Sequence, residues 1–96
     1  MYEFIRGSII EVNPAHIIIE AGGVGYFVHI SLNTYTKFNH SKEGLVYLHQ
    51  VVREDAHSLY GFADKSERDL FRNLISVNGV GSNTAIMMLS SLTPEE

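Results

Sequence analysis

Leu45-Val46-Tyr47-Leu48-His49-Gln50-Val51-Val52-Arg53-Glu54-Asp55-Ala56-His57-Ser58-Leu59-Tyr60-Gly61-Phe62 reads as two β-rich runs parted by one polar break. Residues 45–52 are nearly continuous in apolar and β-preferring types, which fits a strand. Arg53, Glu54 and Asp55 then bring three charges together before Ala56, and the pattern resumes at His57 as a further strand. Adjacent carboxylates within a strand would point to opposite faces, whereas at a hairpin tip both project into solvent. Catalytic acid–base work would need a pocket that shifts one pKa, and a tip is a poor place for one. On these residues alone a solvated acidic turn is the simpler reading. A negative point that repels phosphate is the other.

Three more strand-like runs lie upstream. Residues 4–11 carry Ile5, Ile9 and Ile10 and break at Asn13-Pro14, a turn signal. Ile17-Ile18-Ile19 is β-branched and bounded by that turn and by Gly22-Gly23, which fits a hairpin connection. The third run, Gly25-Tyr26-Phe27-Val28-His29-Ile30, places Tyr26, Val28 and Ile30 on one face. Gly22-Gly23-Val24-Gly25 is no dinucleotide loop, because it lacks the GxGxxG spacing and a strand rather than a helix follows. Residues 31–38 fit a short helix or an irregular crossover, and 39–44 read as a surface loop. Five short strands with a small insertion before the fourth predict a Greek-key barrel of the OB type over residues 1–63. Several sandwiches share that pattern.

At Asp64 the period changes from two to 3.6. Asp64-Lys65-Ser66-Glu67 has the form of a capping box, and Leu70, Phe71, Leu74 and Ile75 make an apolar stripe on a helix to about Val77. Asn78-Gly79-Val80-Gly81-Ser82-Asn83 reads as a tight glycine hairpin into another helix, whose stripe is Ala85, Met88, Leu89 and Leu92. Both glycines are expected to turn through backbone conformations closed to residues with a Cβ. The unpaired amides and dipole of that second helix start suit an anion, phosphate above all. An ordinary turn between packed helices explains the same residues. Ile86 and Met87 lie off the stripe and need a cover. Thr93-Pro94-Glu95-Glu96 looks like a third helix start, so residues 64–96 read as the opening of a longer helical domain.

With 96 residues the chain makes one ordinary domain or two very small ones. Its formal charge of -4 counts on average against nucleic acid, although Lys65, Arg68 and Arg72 fall together before the glycine hairpin. Cysteine is absent, which excludes disulfides and thiolate metal sites. The N-terminus lacks the features of a signal peptide, and no apolar run approaches the roughly 20 residues that span a bilayer, so the cytoplasm is expected. Among His16, His29, His40, His49 and His57 no two have the i, i+4 spacing of a metalloprotease helix, and no carboxylate cluster joins them. His29 and His49 fall in strands, where a hydrogen-bonded or surface imidazole is expected. With no G-x-S-x-G elbow and no Walker A loop, neither catalysis nor a cofactor is expected.

Val51-Val52-Arg53-Glu54-Asp55-Ala56 followed by Leu59-Tyr60-Gly61-Phe62 closely resembles the acidic-pin segment of the RuvA family, the Holliday-junction-binding subunits of bacterial RuvAB branch-migration complexes. Arg6-Gly7 with Ile9-Ile10-Glu11, Gly22-Gly23-Val24-Gly25-Tyr26 with Val28-His29, and Asn78-Gly79-Val80-Gly81 match in the same order. The likeness covers essentially the whole chain. It implies an OB-fold domain, a helical domain with two helix-hairpin-helix motifs and a small C-terminal domain. It also implies a homotetramer that holds an open four-way junction in recombination, DNA repair and the SOS response. The ATPase RuvB and the resolvase RuvC would be partners, and the subunit itself non-catalytic.

Carried onto this chain, Glu54 and Asp55 would be the acidic pin, ringing the junction centre. Gly79, Val80, Gly81, Ser82 and Asn83 would be the first phosphate clamp. Many members have Pro and Lys where this chain has Ser82 and Asn83, so the clamp here would rely on amides and a hydroxyl. The second hairpin motif and the RuvB-binding domain have no counterpart in these residues, and weak junction binding is expected. The alternative is an OB-like protein-interaction module that touches no nucleic acid, which the acidic charge favours.

Overall fold

The computed structural model describes residues 2–91. In chain order its elements are β1 (Phe4–Val12), β2 (His16–Ala21), β3 (Val24–Ile30), α1 (Leu32–Phe38), β4 (Glu43–Arg53), β5 (Ala56–Phe62), α2 (Lys65–Ile75) and α3 (Ser82–Ser90). The strands close into a barrel in the order β1-β2-β3-β5-β4. All neighbours are antiparallel except β3 and β5, which meet in parallel at His29↔Tyr60 and Ile30↔Gly61. With α1 bridging β3 and β4, this is the OB arrangement expected from the strand pattern.

Alternation fills the barrel. Ile5, Ile17, Ile19, Val28, Ile30, Val46 and Leu48 point inward and are buried. Gly61 is glycine because the interior is full there: a Cβ would come within 2.5 Å of methyl carbons of both Val28 and Val46. Residues 39–44 are not all loop. β4 starts at Glu43 because Glu43 and Gly44 pair with Ser8 and Gly7, closing the barrel against β1. That pairing partner is distant in sequence, so local pattern could not show it.

A second core forms where α2 and α3 lie against the outer face of β4 and β5. It comprises Tyr60, Phe62, Phe71, Ala85 and Leu89, with Val51, Leu74, Ile75, Val80 and Ile86 packed around them. The Phe71 ring sits 5.2 Å from Tyr60 and 5.1 Å from Phe62, centroid to centroid. Leu70 and Met88, expected on the apolar stripes, are instead exposed. α2 is turned so that Phe71 faces the barrel, with Arg68 one turn earlier on the same side and only 4% exposed. Ile86 is half-buried against the second core, while Met87 is exposed. Leu92 and the helix start expected at residues 93–96 lie outside the described residues.

The capping box at Asp64 takes another form. Asp64 has the extended backbone of an N-cap, but its side chain makes no cap hydrogen bond and pairs with Lys37. Glu67 reaches across to α1, where Ser31 Oγ donates to its carboxylate at 2.7 Å and Thr34 Oγ1 at 2.9 Å. Both hydroxyls are fully buried, so the carboxylate satisfies donors that would otherwise be stranded. Ser31 in turn caps α1, accepting from the Thr34 amide at 3.2 Å.

Candidate nucleic-acid interface

Glu54 and Asp55 are the two turn residues of the β4–β5 hairpin, closed by the pair Arg53↔Ala56, and both are exposed. The tip is the far end of a long ladder that runs from Tyr47↔Phe62 to Arg53↔Ala56. It is therefore held out rigidly from the barrel, carrying two carboxylates into solvent.

The glycine hairpin forms where expected, but its two glycines differ. Gly79 has φ +87°, a region that L side chains rarely adopt. Gly81 has φ −85° and ψ 171°, extended backbone open to any residue, and a Cβ there would meet nothing within 4 Å. The expectation that both need glycine's conformational freedom thus holds for Gly79 alone. Val80 between them is anchored by packing on the second core and by the hydrogen bond its N–H donates to the Val77 carbonyl at 3.1 Å. Gly81 is the N-cap of α3, and the first helical bond runs from the Ala85 amide to its carbonyl at 2.9 Å. The amides of Ser82, Asn83 and Thr84 precede that bond and stand at the positive end of the helix dipole.

Tip and helix start belong to one concavity. A groove of about 430 Å³ is lined by Arg53 and Asp55 on the tip side, Ser58 and Tyr60 on β5, and residues 81–84 opposite. Asn83 has a second task, since its Oδ1 accepts from the Tyr60 hydroxyl at 3.1 Å, tying α3 to the barrel wall. Neither this tether nor the place of Arg53 in the groove lining is signalled by local sequence pattern.

The cluster of Lys65, Arg68 and Arg72 is not an open basic patch. Arg68 donates to the Glu3 carbonyl at 2.8 Å, to the Glu3 carboxylate at 2.9 Å and to the Leu48 carbonyl at 3.4 Å. Arg72 Nε donates to His49 Nδ1 at 3.1 Å. Lys65 lies over the Tyr47 ring. These side chains fasten α2 to the barrel. Among the described residues no group of three His, Asp or Glu side chains is placed to hold a metal ion, and no helix is long and apolar enough to cross a membrane.

Residues 1–61 match the family model described as RuvA N terminal domain. Curated relatives from Parabacteroides distasonis, Christiangramia forsetii and Porphyromonas gingivalis are 55%, 53% and 50% identical over all 96 residues. The chain belongs to the RuvA family. Each of those relatives is named Holliday junction branch migration complex subunit RuvA. The chain spans about half of their length, 49%, 50% and 48% respectively. The RuvA family model ends at residue 61, on β5, so the glycine hairpin lies beyond it and is matched by the full-length RuvA relatives instead.

Proposed function

We propose that this chain binds four-way DNA junctions by their shape, without regard to sequence, as the non-catalytic RuvA subunit of a cytoplasmic branch-migration complex in recombination and repair. The observation that carries this reading is the single groove in which Asp55 of the tip faces the amide-bearing start of α3. A helix start of this kind accepts a backbone phosphate through its amides and dipole, at about 0.3–1 kcal/mol for the dipole term. Such contacts set position on DNA without reading bases. The carboxylates repel phosphates that crowd in from the other side, by roughly 1 kcal/mol for each close pair even at the dielectric of water.

In this reading residues 1–63 assemble four copies and present Glu54 and Asp55 as a ring, while residues 64–96 bring the clamp of Gly79, Val80, Gly81, Ser82 and Asn83. Arg53 supplies a cation beside a clamp that has no lysine of its own. RuvB and RuvC act on the same junction, and the names of the relatives support a multi-subunit assembly. Gel-shift titrations of a four-way junction and of linear duplex at one salt concentration test the proposal. Preference for the junction, weakening steeply as salt rises, is the expected result. Equal affinity for both, or binding indifferent to salt, would favour a protein-interaction module instead.

A further inference from the structure

We propose that His49 is a positioning residue of the clamp: its neutral imidazole, with Nδ1 unprotonated, adds to the hold of α2 on the barrel and so to the placement of the α3 start that shares α2's core. The inference rests on the proposed junction binding for its functional consequence, but the contact itself is structural. His49 lies mid-strand in β4, paired with Tyr60 on β5, and its ring meets Phe71 of α2 edge-on at 5.4 Å. Arg72 Nε donates to its Nδ1 at 3.1 Å. A guanidinium has only donors, so this nitrogen must be the acceptor and the proton must sit on Nε2. Protonation removes the lone pair that Arg72 uses.

The surroundings make that protonation costly. From α2, both Arg72 and Arg68 face this part of β4. From the residue just before β1, the Glu3 carboxylate is already bonded to Arg68. From β5, the Tyr60 hydroxyl is turned to Asn83. Among the described residues no carboxylate hydrogen-bonds His49, so an imidazolium would add a third positive charge to two arginines. Burial, then the charges of Arg72 and Arg68, hold its pKa below the ordinary 6.5. The released form therefore takes up the proton first. Docking is complete above about pH 6.5, weakens as pH falls below it, and levels off once the docked imidazole itself titrates. α2 and α3 share the Phe71, Ala85 and Leu89 core, so loosening α2 shifts the amides of residues 82–84 relative to the tip.

Imidazole nitrogen spectra and backbone amide shifts of the labelled chain, followed from about pH 7.5 to about pH 5.5, test this. His49 should show the Nε2–H tautomer, and amides of α2 and α3 should move together on acidification. His49→Asn, whose Oδ1 stands near the place of Nδ1 and does not titrate, should keep the neutral-pH spectrum of α2 and α3 and flatten their acid response. His49→Phe, which offers Arg72 no acceptor, should show the acid-form shifts of α2 and α3 at every pH. Junction affinity of the unaltered chain should fall about three- to ten-fold over that range, and that of His49→Asn much less. An Nδ1–H tautomer, or an acid response of His49→Asn equal to that of the unaltered chain, would overturn the proposal. The tautomer is read on the unaltered protein, so it decides even if a variant misfolds. Absence of junction binding at all pH values would strike the functional reading and leave the spectra to judge His49.

Discussion

The Tyr60 hydroxyl donates to Asn83 Oδ1 at 3.1 Å, so a ring on the barrel wall fixes the first turn of the helix whose amides face the groove. Tyr60 also packs on Phe71, and those ring contacts survive in Tyr60→Phe. Only the tether is lost. A neutral hydrogen bond of this kind is worth about 0.5–1.5 kcal/mol, and at this chain length each kcal/mol moves the melting midpoint by roughly 4–8 °C. Calorimetry should show a fall of several degrees with an unchanged barrel. An unchanged midpoint would mean that the tether adds nothing to the packing of Leu89 and Ala85 and to the hydrogen bonds from Leu32 and Asn33 of α1.

Gly79 and Gly81 should respond differently to alanine. Gly79→Ala forces a Cβ into a left-handed conformation, a penalty of about 1–2 kcal/mol that denaturant titration should read directly. Gly81→Ala finds open space and ordinary dihedrals, so it should cost under about 1 kcal/mol, from weaker N-capping. Its methyl group would nevertheless be added at a residue that lines the groove. Junction affinity should drop more for Gly81→Ala than its stability does. A parallel loss in both would argue that no ligand approaches there.

What the sequence made legible followed from local period. Alternation marked the inward faces of the strands, and the three-charge break at Arg53-Glu54-Asp55 marked the tip. The hairpin at Gly79 followed from turn chemistry. What it concealed were polar residues whose partners lie far along the chain. Glu67 had the spacing of a capping box, yet its partners Ser31 and Thr34 are 36 and 33 residues away. Arg68 had the look of a surface cation, yet Glu3, 65 residues distant, holds it inside. Helix periodicity assigns such residues outward, so the apolar stripe of the sequence passes through Leu70 instead. The groove likewise joins residues of β4, β5 and α3, a proximity created by the docking of α3 on the shared core and by its bond to Tyr60.

Glu67 offers a test of that buried seam. Glu67→Ala leaves the Ser31 and Thr34 hydroxyls without their acceptor in a fully buried setting. At about 1–3 kcal/mol for each stranded group, partly relieved because Ser31 also donates to Thr34 Oγ1, the loss should be about 2–4 kcal/mol. Glu67→Gln retains one acceptor oxygen and should lose less than half as much. Urea midpoints of the two variants check the order. Equal losses would point to charge rather than acceptor count.

Acid should weaken the join between Glu3, just before β1, and Arg68 of α2. The hydrogen bond from Arg68, the largest influence, and the charges of Arg68, Lys65 and Arg72 together hold the Glu3 carboxyl below its ordinary 4.5, against desolvation, which opposes them. A depressed carboxyl stabilises the fold above the unfolded value and loses that contribution as pH falls from about 4.5 through the lower folded value. Glu3→Gln should therefore be less stable than the unaltered chain at neutral pH and converge with it in strong acid. Denaturant midpoints across that window check this. A constant gap between the two chains down to the lowest pH would show that the carboxylate is not what Arg68 holds.

The tip is where charge and shape can be separated. Glu54→Gln with Asp55→Asn keeps the size and hydrogen-bonding reach of both side chains, and the two-residue turn between Arg53 and Ala56 has room for either pair. If the carboxylates act by repelling phosphate, neutralising them should raise affinity for linear duplex by roughly five- to thirty-fold, the equivalent of about 1–2 kcal/mol. Junction affinity should change less, since an open centre keeps its phosphates farther from the tip. The gain should shrink with added salt, because exposed charges are screened beyond roughly 8–10 Å at moderate ionic strength. Parallel titrations of duplex and junction at low and moderate salt separate the cases. If duplex affinity stays flat or declines in the double variant, the two carboxylates are only a solvated turn and discrimination must come from the groove.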